Sequence, residues 1–287
     1  MSLPCIHDVV PVEGFFGLPI RPFGLLVSVG VMIGYALARR RARLTGLDQE
    51  LCANGIVWTV VAGFVGAHWV SVIFYFPEDL WRDPLVLLKF WKQLSSFGGF
   101  LGGTVGAWIY FRRHRQSLLK YADAIIFGLV PAWFFGRLGC TVVHDHPGAP
   151  TSFALGVRCG PGASVVHDLG LYEALFTLAL IGVLYGLRRV RPFHGFPLVL
   201  MLVLYAPVRF LLDRLRVDDR TYWGLTPGQF FAALVLLLAA ALAAHGLRLR
   251  RRGDWPGAPA PARLPGQRLV PDAVPPRRGP GRRRQRK

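Results

Sequence analysis

Apolar runs of membrane length constrain this chain more than any other feature. "PFGLLVSVGVMIGYALA" at 22–38, "GIVWTVVAGFVGAHWVSVIFYF" at 55–76 and "GQFFAALVLLLAAALAAHGL" at 228–247 each approach the roughly 20 residues needed to cross a hydrocarbon layer about 30 Å thick. Hydrocarbon offers no water to backbone N–H and C=O groups, so such spans must satisfy them internally, as helices. A barrel would show alternating strands of about ten residues, and the chain lacks that pattern. The expected fold is all-α: a polytopic membrane protein with about seven transmembrane helices. They fall near 22–38, 55–76, 94–111, 121–136, 171–187, 194–212 and 228–247.

Charge supplies the orientation. The formal net charge is +18, and its basic clusters sit directly after hydrophobic runs: "RRRAR" at 39–43, "RRHR" at 112–115, "RRVR" at 188–191 and "GLRLRRR" at 246–252. Placing those clusters in the cytoplasm follows the positive-inside pattern and puts the N-terminus outside and the C-terminus inside. The partners this implies are membrane lipids with anionic headgroups, not nucleic acid. "MSLPCIHDVVPVEGFFGLPIRP" has no basic n-region and no apolar h-region, so it does not read as a signal peptide, nor Cys5 as a lipidation site.

The expected organisation is one membrane domain over 1–253, with an extracytoplasmic loop at about 139–170, and a disordered basic tail at 254–287 rich in Pro and Arg. The segment at 77–93, with Trp81 and Trp91 among charges, reads as lying at the outer interface. Of the four cysteines, Cys140 and Cys159 share the extracytoplasmic loop and can pair or stay free; the sequence does not decide.

Polar groups inside a membrane are costly unless they meet a partner or a wet cavity, so the few present are candidate functional residues. They are Arg137 in "FFGRLG", Glu173 in "LYEALF", Arg209 with Asp213 four residues on, Arg216, His68 and Gln229. Arg209 and Asp213 can neutralise each other along one helix. Arg137 has no such local carboxylate and is followed by Gly139. A guanidinium fork at the end of a span suits a phosphate, so paired arginines facing one cavity point to a phospholipid headgroup. Gly98 and Gly99 in "SSFGGFLGG" at 95–103 permit either close helix contact or room for that headgroup. "CTVVHDH" places Cys140, His144, Asp145 and His146 just beyond Arg137, with His167 later in the loop. Three readings stand open there: catalytic base, polar loop, or metal site. The Cys-x3-His-x-His spacing is not a strong zinc pattern, and neither metal nor cofactor is expected.

In order and spacing these features resemble the phosphatidylglycerol–prolipoprotein diacylglyceryl transferases. The resemblance runs from about Phe16 to Arg252 through "FGGFLGG", "GRLGC" at 136–140, "HDLGLYEAL" at 167–175, "RFLLDRLR" at 209–216 and "TPGQF" at 226–230. It implies transfer of the diacylglyceryl group of phosphatidylglycerol to the lipobox cysteine thiol of a prolipoprotein signal peptide, at the outer leaflet of a bacterial inner membrane. Catalytic roles then fall on Arg137 and Arg209, and substrate binding on Gly98, Gly99, Gly139, Tyr172, Glu173, Arg216 and Gln229. Where the family usually has His-Gly-Gly this chain has Phe97-Gly98-Gly99, and the usual first-span tyrosine is Phe23. A phenyl ring accepts no proton, so His144, Asp145 or His146 stands as the replacement base. The alternatives are a paralog acting on another acceptor or lipid, and a membrane protein that binds phospholipid without catalysis.

Overall fold

The computed structural model describes residues 3–5, 22–74, 76–89, 94–217 and 221–252, with only the backbone of Ser96 and Phe97. The expected tail at 254–287, Trp91 and the Phe97 side chain lie outside what is described. The chain is built on α1 (Pro22–Leu44), α2 (Gln49–Phe74), the short α3 (Pro77–Arg82), α4 (Ser96–Arg113), α5 (Leu118–Val143), α6 (Leu169–Gly186), α7 (Phe196–Asp213) and α8 (Pro227–Arg251). Six of them, α1, α2, α5, α6, α7 and α8, are long and apolar enough to cross a membrane. The protein is therefore an all-α multi-pass membrane protein.

Small residues decide which helices meet. Along α1 the buried positions are Gly30, Gly34, Ala38 and Ala42, one every four residues, so a single smooth stripe faces its neighbour. That neighbour is α5, whose Gly128 backs onto the Gly34 carbonyl so closely that a methyl group on either glycine would strike the other backbone. A second seam joins α4 to α2, where Gly98 and Gly102 press against the backbone at Gly66 and Ala62. In lipid, where burying apolar surface adds little, close backbone packing of this kind supplies the association energy. Gly128→Ala should therefore destabilise the fold by about 1–3 kcal/mol through overpacking. Thermal unfolding in detergent checks this; an unchanged midpoint would mean the α1–α5 contact is looser than described.

Segments outside the long helices hold a small four-stranded sheet that the hydropathy pattern gave no hint of. Strands β1 (Leu3–Pro4), β2 (Pro147–Pro150), β3 (Val157–Arg158) and β4 (Val166–Asp168) are ordered β1-β3-β4-β2, with β1 parallel to β3 and the other pairs antiparallel. Cys5 is disulfide-bonded to Cys159, across 154 residues of sequence, while Cys52 and Cys140 are free and buried. The pairing of Cys140 with Cys159 that the sequence left open is thus corrected: the N-terminal strand takes Cys159, and Cys140 is held inside a helix.

Helix α5 also runs further than its hydropathy indicates. The expected end at 136 becomes Val143, because no residue before His144 leaves helical geometry. His144 ends the helix in the left-handed region at φ 49°. The loop expected from 139 therefore starts at His144, and Arg137 and Cys140 stand on helix.

Candidate functional site

Three helix ends and one capped turn converge to place the charges. The last two turns of α5 carry Arg137 and Cys140, the first turns of α6 carry Glu173, and the end of α7 carries Arg209 and Asp213. The start of α6 is fixed by Asp168, whose carboxylate accepts from the Leu171 N–H at 3.0 Å. The start of α8 is fixed by a capping box in which Thr226 and Gln229 satisfy each other's backbone. Gly170 brings α6 onto Cys140, where a Cβ would sit 3.0 Å from the Cys140 Cβ.

The charges form one connected chain. Glu173, buried, pairs through Oε2 with Arg137 Nε at 2.5 Å and through Oε1 with Arg209 Nη1 at 2.6 Å. Arg209 Nη2 donates to Asp213 Oδ1 at 2.7 Å, and Arg216 Nε lies 3.4 Å from the same oxygen. Thr226 Oγ1 donates to the other Asp213 oxygen. Three guanidiniums against two carboxylates leave one formal positive charge, a match for the single negative charge of a phosphodiester. Only partial neutralisation of this kind makes buried arginines tolerable in lipid while leaving them attractive to an anion.

A cavity of about 980 Å³ opens on this chain, with Arg137, Arg209, Arg216 and His146 at its polar end. Its apolar wall comes from Phe100 of α4, Tyr205 of α7, and Phe230, Phe231 and Leu234 of α8. The Phe100 and Phe231 rings stack at 5.9 Å between centroids, so α4 and α8 meet along the wall. One charged end and one oily wall suit an amphiphile with a phosphate headgroup.

The replacement-base candidates part company here. His146 lines the cavity, and its Nδ1 is 2.5 Å from Asp145 Oδ1. His144 instead binds Asp168 through Nδ1 at 2.6 Å, beside the Cys5–Cys159 sulfurs, and is not among the cavity-lining residues. Cys140 Sγ, an Asp145 oxygen and a His146 nitrogen lie within 4.8 Å of one another. His167 bonds the Tyr172 hydroxyl at 2.8 Å. The five residues of metal-ligand type noted in the sequence thus split into groups, and Cys140, Asp145 and His146 converge.

The remaining sequence candidates have these places. Gly98 is consumed by the seam with α2, and Gly99 faces Ala67 and Gly63 with ordinary contacts. Gly139 packs on Phe23 of α1. Gln229 is buried in the α8 cap, donating from Nε2 to the Phe210 carbonyl at 3.2 Å. His68 is buried, its Nε2 2.8 Å from the Val86 carbonyl. Sequence reasoning missed Tyr205 and Gly228 at the cavity. Gly228 lies so close to the Asp213 carboxylate that a side chain there would displace it. The signal for Tyr205 was available: it sits one helical turn before Arg209, on the same face.

Comparison with known proteins adds an independent line. The family model for prolipoprotein diacylglyceryl transferases matches residues 11–245. A phosphatidylglycerol–prolipoprotein diacylglyceryl transferase of Corynebacterium efficiens is 30% identical over 270 residues, covering 85% of this chain and 82% of that protein. The protein of the same name from Symbiobacterium thermophilum is 30% identical over 259 residues, 86% of this chain and 96% of its own length. That of Frankia casuarinae is 30% identical over 238 residues, and there the match spans 58% of the relative's length.

Proposed function

Because this chain belongs to the prolipoprotein diacylglyceryl transferase family, we propose that it transfers the diacylglyceryl group of phosphatidylglycerol to the lipobox cysteine of a prolipoprotein signal peptide. The observation that carries the reading is the Arg137–Glu173–Arg209 bridge exposed at the polar end of an amphiphile-shaped cavity.

In the reaction, the thiol sulfur attacks the glyceryl carbon that bears the phosphate ester. The carbon–sulfur bond forms as the carbon–oxygen bond breaks, and its electron pair leaves on the oxygen of glycerol 1-phosphate. Charge therefore grows on phosphate, where Arg137, Arg209 and Arg216 already converge; donors fixed in advance act most strongly on charge that develops late. The thiolate is the nucleophile, so the thiol proton must go elsewhere. In this reading His146, which lines the cavity, takes it through Nε2, while Asp145 at Nδ1 stabilises the imidazolium that results. Phe230, Phe231 and Leu234 would carry the acyl chains.

This reading sets the protein in the bacterial inner membrane with the cavity toward the outer leaflet, and the basic helix ends support that orientation. It also makes α4 the seventh crossing. Its 18 residues span about 27 Å at 1.5 Å per residue, and it is held by the glycine seam where its own hydropathy falls short.

The test is transfer of labelled diacylglycerol from phosphatidylglycerol to a lipobox peptide by purified protein. His146→Gln is expected to lose about a hundredfold in turnover, whereas His144→Gln should keep its turnover once refolded material is compared. Full activity of His146→Gln would remove it as the base. A folded parent that binds phosphatidylglycerol but never lipidates a peptide would leave the phospholipid-binding alternative.

A further inference from the structure

The α4–α8 side of the bundle carries a second cavity, at the opposite end from Arg137. It measures about 620 Å³ and is bounded by Trp108 and Arg112 of α4, Arg115 and Ser117 of the following turn, Leu119 of α5 and Leu242 of α8. We propose that this cavity holds an anionic phospholipid of the opposite leaflet, distinct from the lipid consumed in transfer.

Charge complementarity is the first argument. Arg112 lies over the Trp108 ring, 5.5 Å from its centroid, and Arg115 follows in the left-handed backbone region at φ 54°. Neither is ion-paired among the described residues. Two cations without carboxylates contrast with the other cavity, where Glu173 and Asp213 offset most of the charge.

The chain around the cavity adds to the same attraction. The Ser117 side chain accepts no capping hydrogen bond at the start of α5, and the first turn of α5 has no acidic residue. The first N–H groups of a 26-residue helix, beside the two guanidiniums, are therefore not capped by the Ser117 side chain. The walls argue for a lipid over a free anion. Trp108, Leu119 and Leu242 would gain nothing from soluble phosphate, but acyl chains descending from a bound headgroup would cover them. A single lipid cannot serve both cavities, because Leu118 and Arg137 are separated along α5 by about 28 Å of helix.

Native mass spectrometry of the detergent-extracted protein, supplied with phosphatidylglycerol, tests the proposal. The parent should retain lipid at both cavities, R112Q/R115Q should lose one retained lipid, and R137Q should lose the other. Ser117→Asp should also lose the first, although an aspartate at that position strengthens a helix start, so misfolding would not explain the loss. Transfer activity of R112Q/R115Q with ample substrate should match the parent. Retention unchanged in R112Q/R115Q and Ser117→Asp would overturn the proposal, as would displacement of that lipid by inorganic phosphate alone. Because R137Q reports on the other cavity, failure here and failure of the transferase reading give different patterns.

Discussion

Arg137→Gln is expected to lower diacylglyceryl transfer by about a thousandfold while the protein stays folded. Arg137 is ion-paired with one oxygen of Glu173, and Arg209 independently holds the other at 2.6 Å. Removing Arg137 therefore leaves the buried carboxylate paired. What disappears is a charge-assisted donor at the place where negative charge grows as the carbon–oxygen bond breaks. With Arg137 gone, the three guanidiniums and two carboxylates become two and two, and the formal attraction for a phosphodiester vanishes. Lysine should restore only part of the rate, since a point charge lacks the planar fork that can grip Glu173 and phosphate together. The measurement is label transfer to a lipobox peptide at equal amounts of folded protein. Turnover within a factor of a few of the parent would show that Arg137 is only a structural partner of Glu173.

Glu173→Gln should act in the opposite sense, on the fold before the chemistry. Its carboxylate has a side-chain exposure of 2% and sits between two guanidiniums. Removing one member of a buried ionic network leaves uncompensated charge and costs about 3–5 kcal/mol. Arg209 keeps Asp213 at 2.7 Å, but Arg137 loses the carboxylate to which it is paired. The unfolding midpoint in detergent should fall well below that of the parent. The double variant Glu173→Gln/Arg137→Gln should recover part of the loss, because it removes the stranded cation along with its partner. If the double variant is as unstable as the sum of the two single ones, the pair is not coupled and the bridge is misassigned.

These two residues also mark how far sequence reading reached. Arg137 and Arg209 were legible from the membrane cost of a guanidinium, without knowing what they face. Glu173 was legible as a costly acid, but its role as a bridge was not. Its partners lie on two other helices, 36 residues apart from it in each direction, Arg137 before and Arg209 after. Arg209 and Asp213 were expected to pair by spacing alone, and they do. Arg216, three residues on from Asp213, is a local partner of the same kind, but local spacing says nothing of Thr226, whose hydroxyl joins that aspartate from the start of α8.

The loop after Arg137 shows the limit from the other side. His144, Asp145 and His146 are near-equivalent in a sequence, yet one left-handed residue at the end of α5 sends their side chains apart. His144 turns to Asp168 and the sheet, while His146 turns to the cavity. The cysteines follow the same logic, since proximity within one loop suggested Cys140 and Cys159, but strand pairing between β1 and β3 brought Cys5 to Cys159.

The sequence by itself determined that long apolar helices are present, that basic clusters follow them, and which two arginines lipid would not tolerate without a purpose. Those follow from local composition, because hydrocarbon judges each residue where it stands. Only the tertiary structure decided which glycines are packing seams, which histidine faces the cavity and which carboxylate joins the arginines. Those depend on contacts between helices distant in sequence, and small-residue stripes, not hydropathy, set which helices approach closely enough to make them.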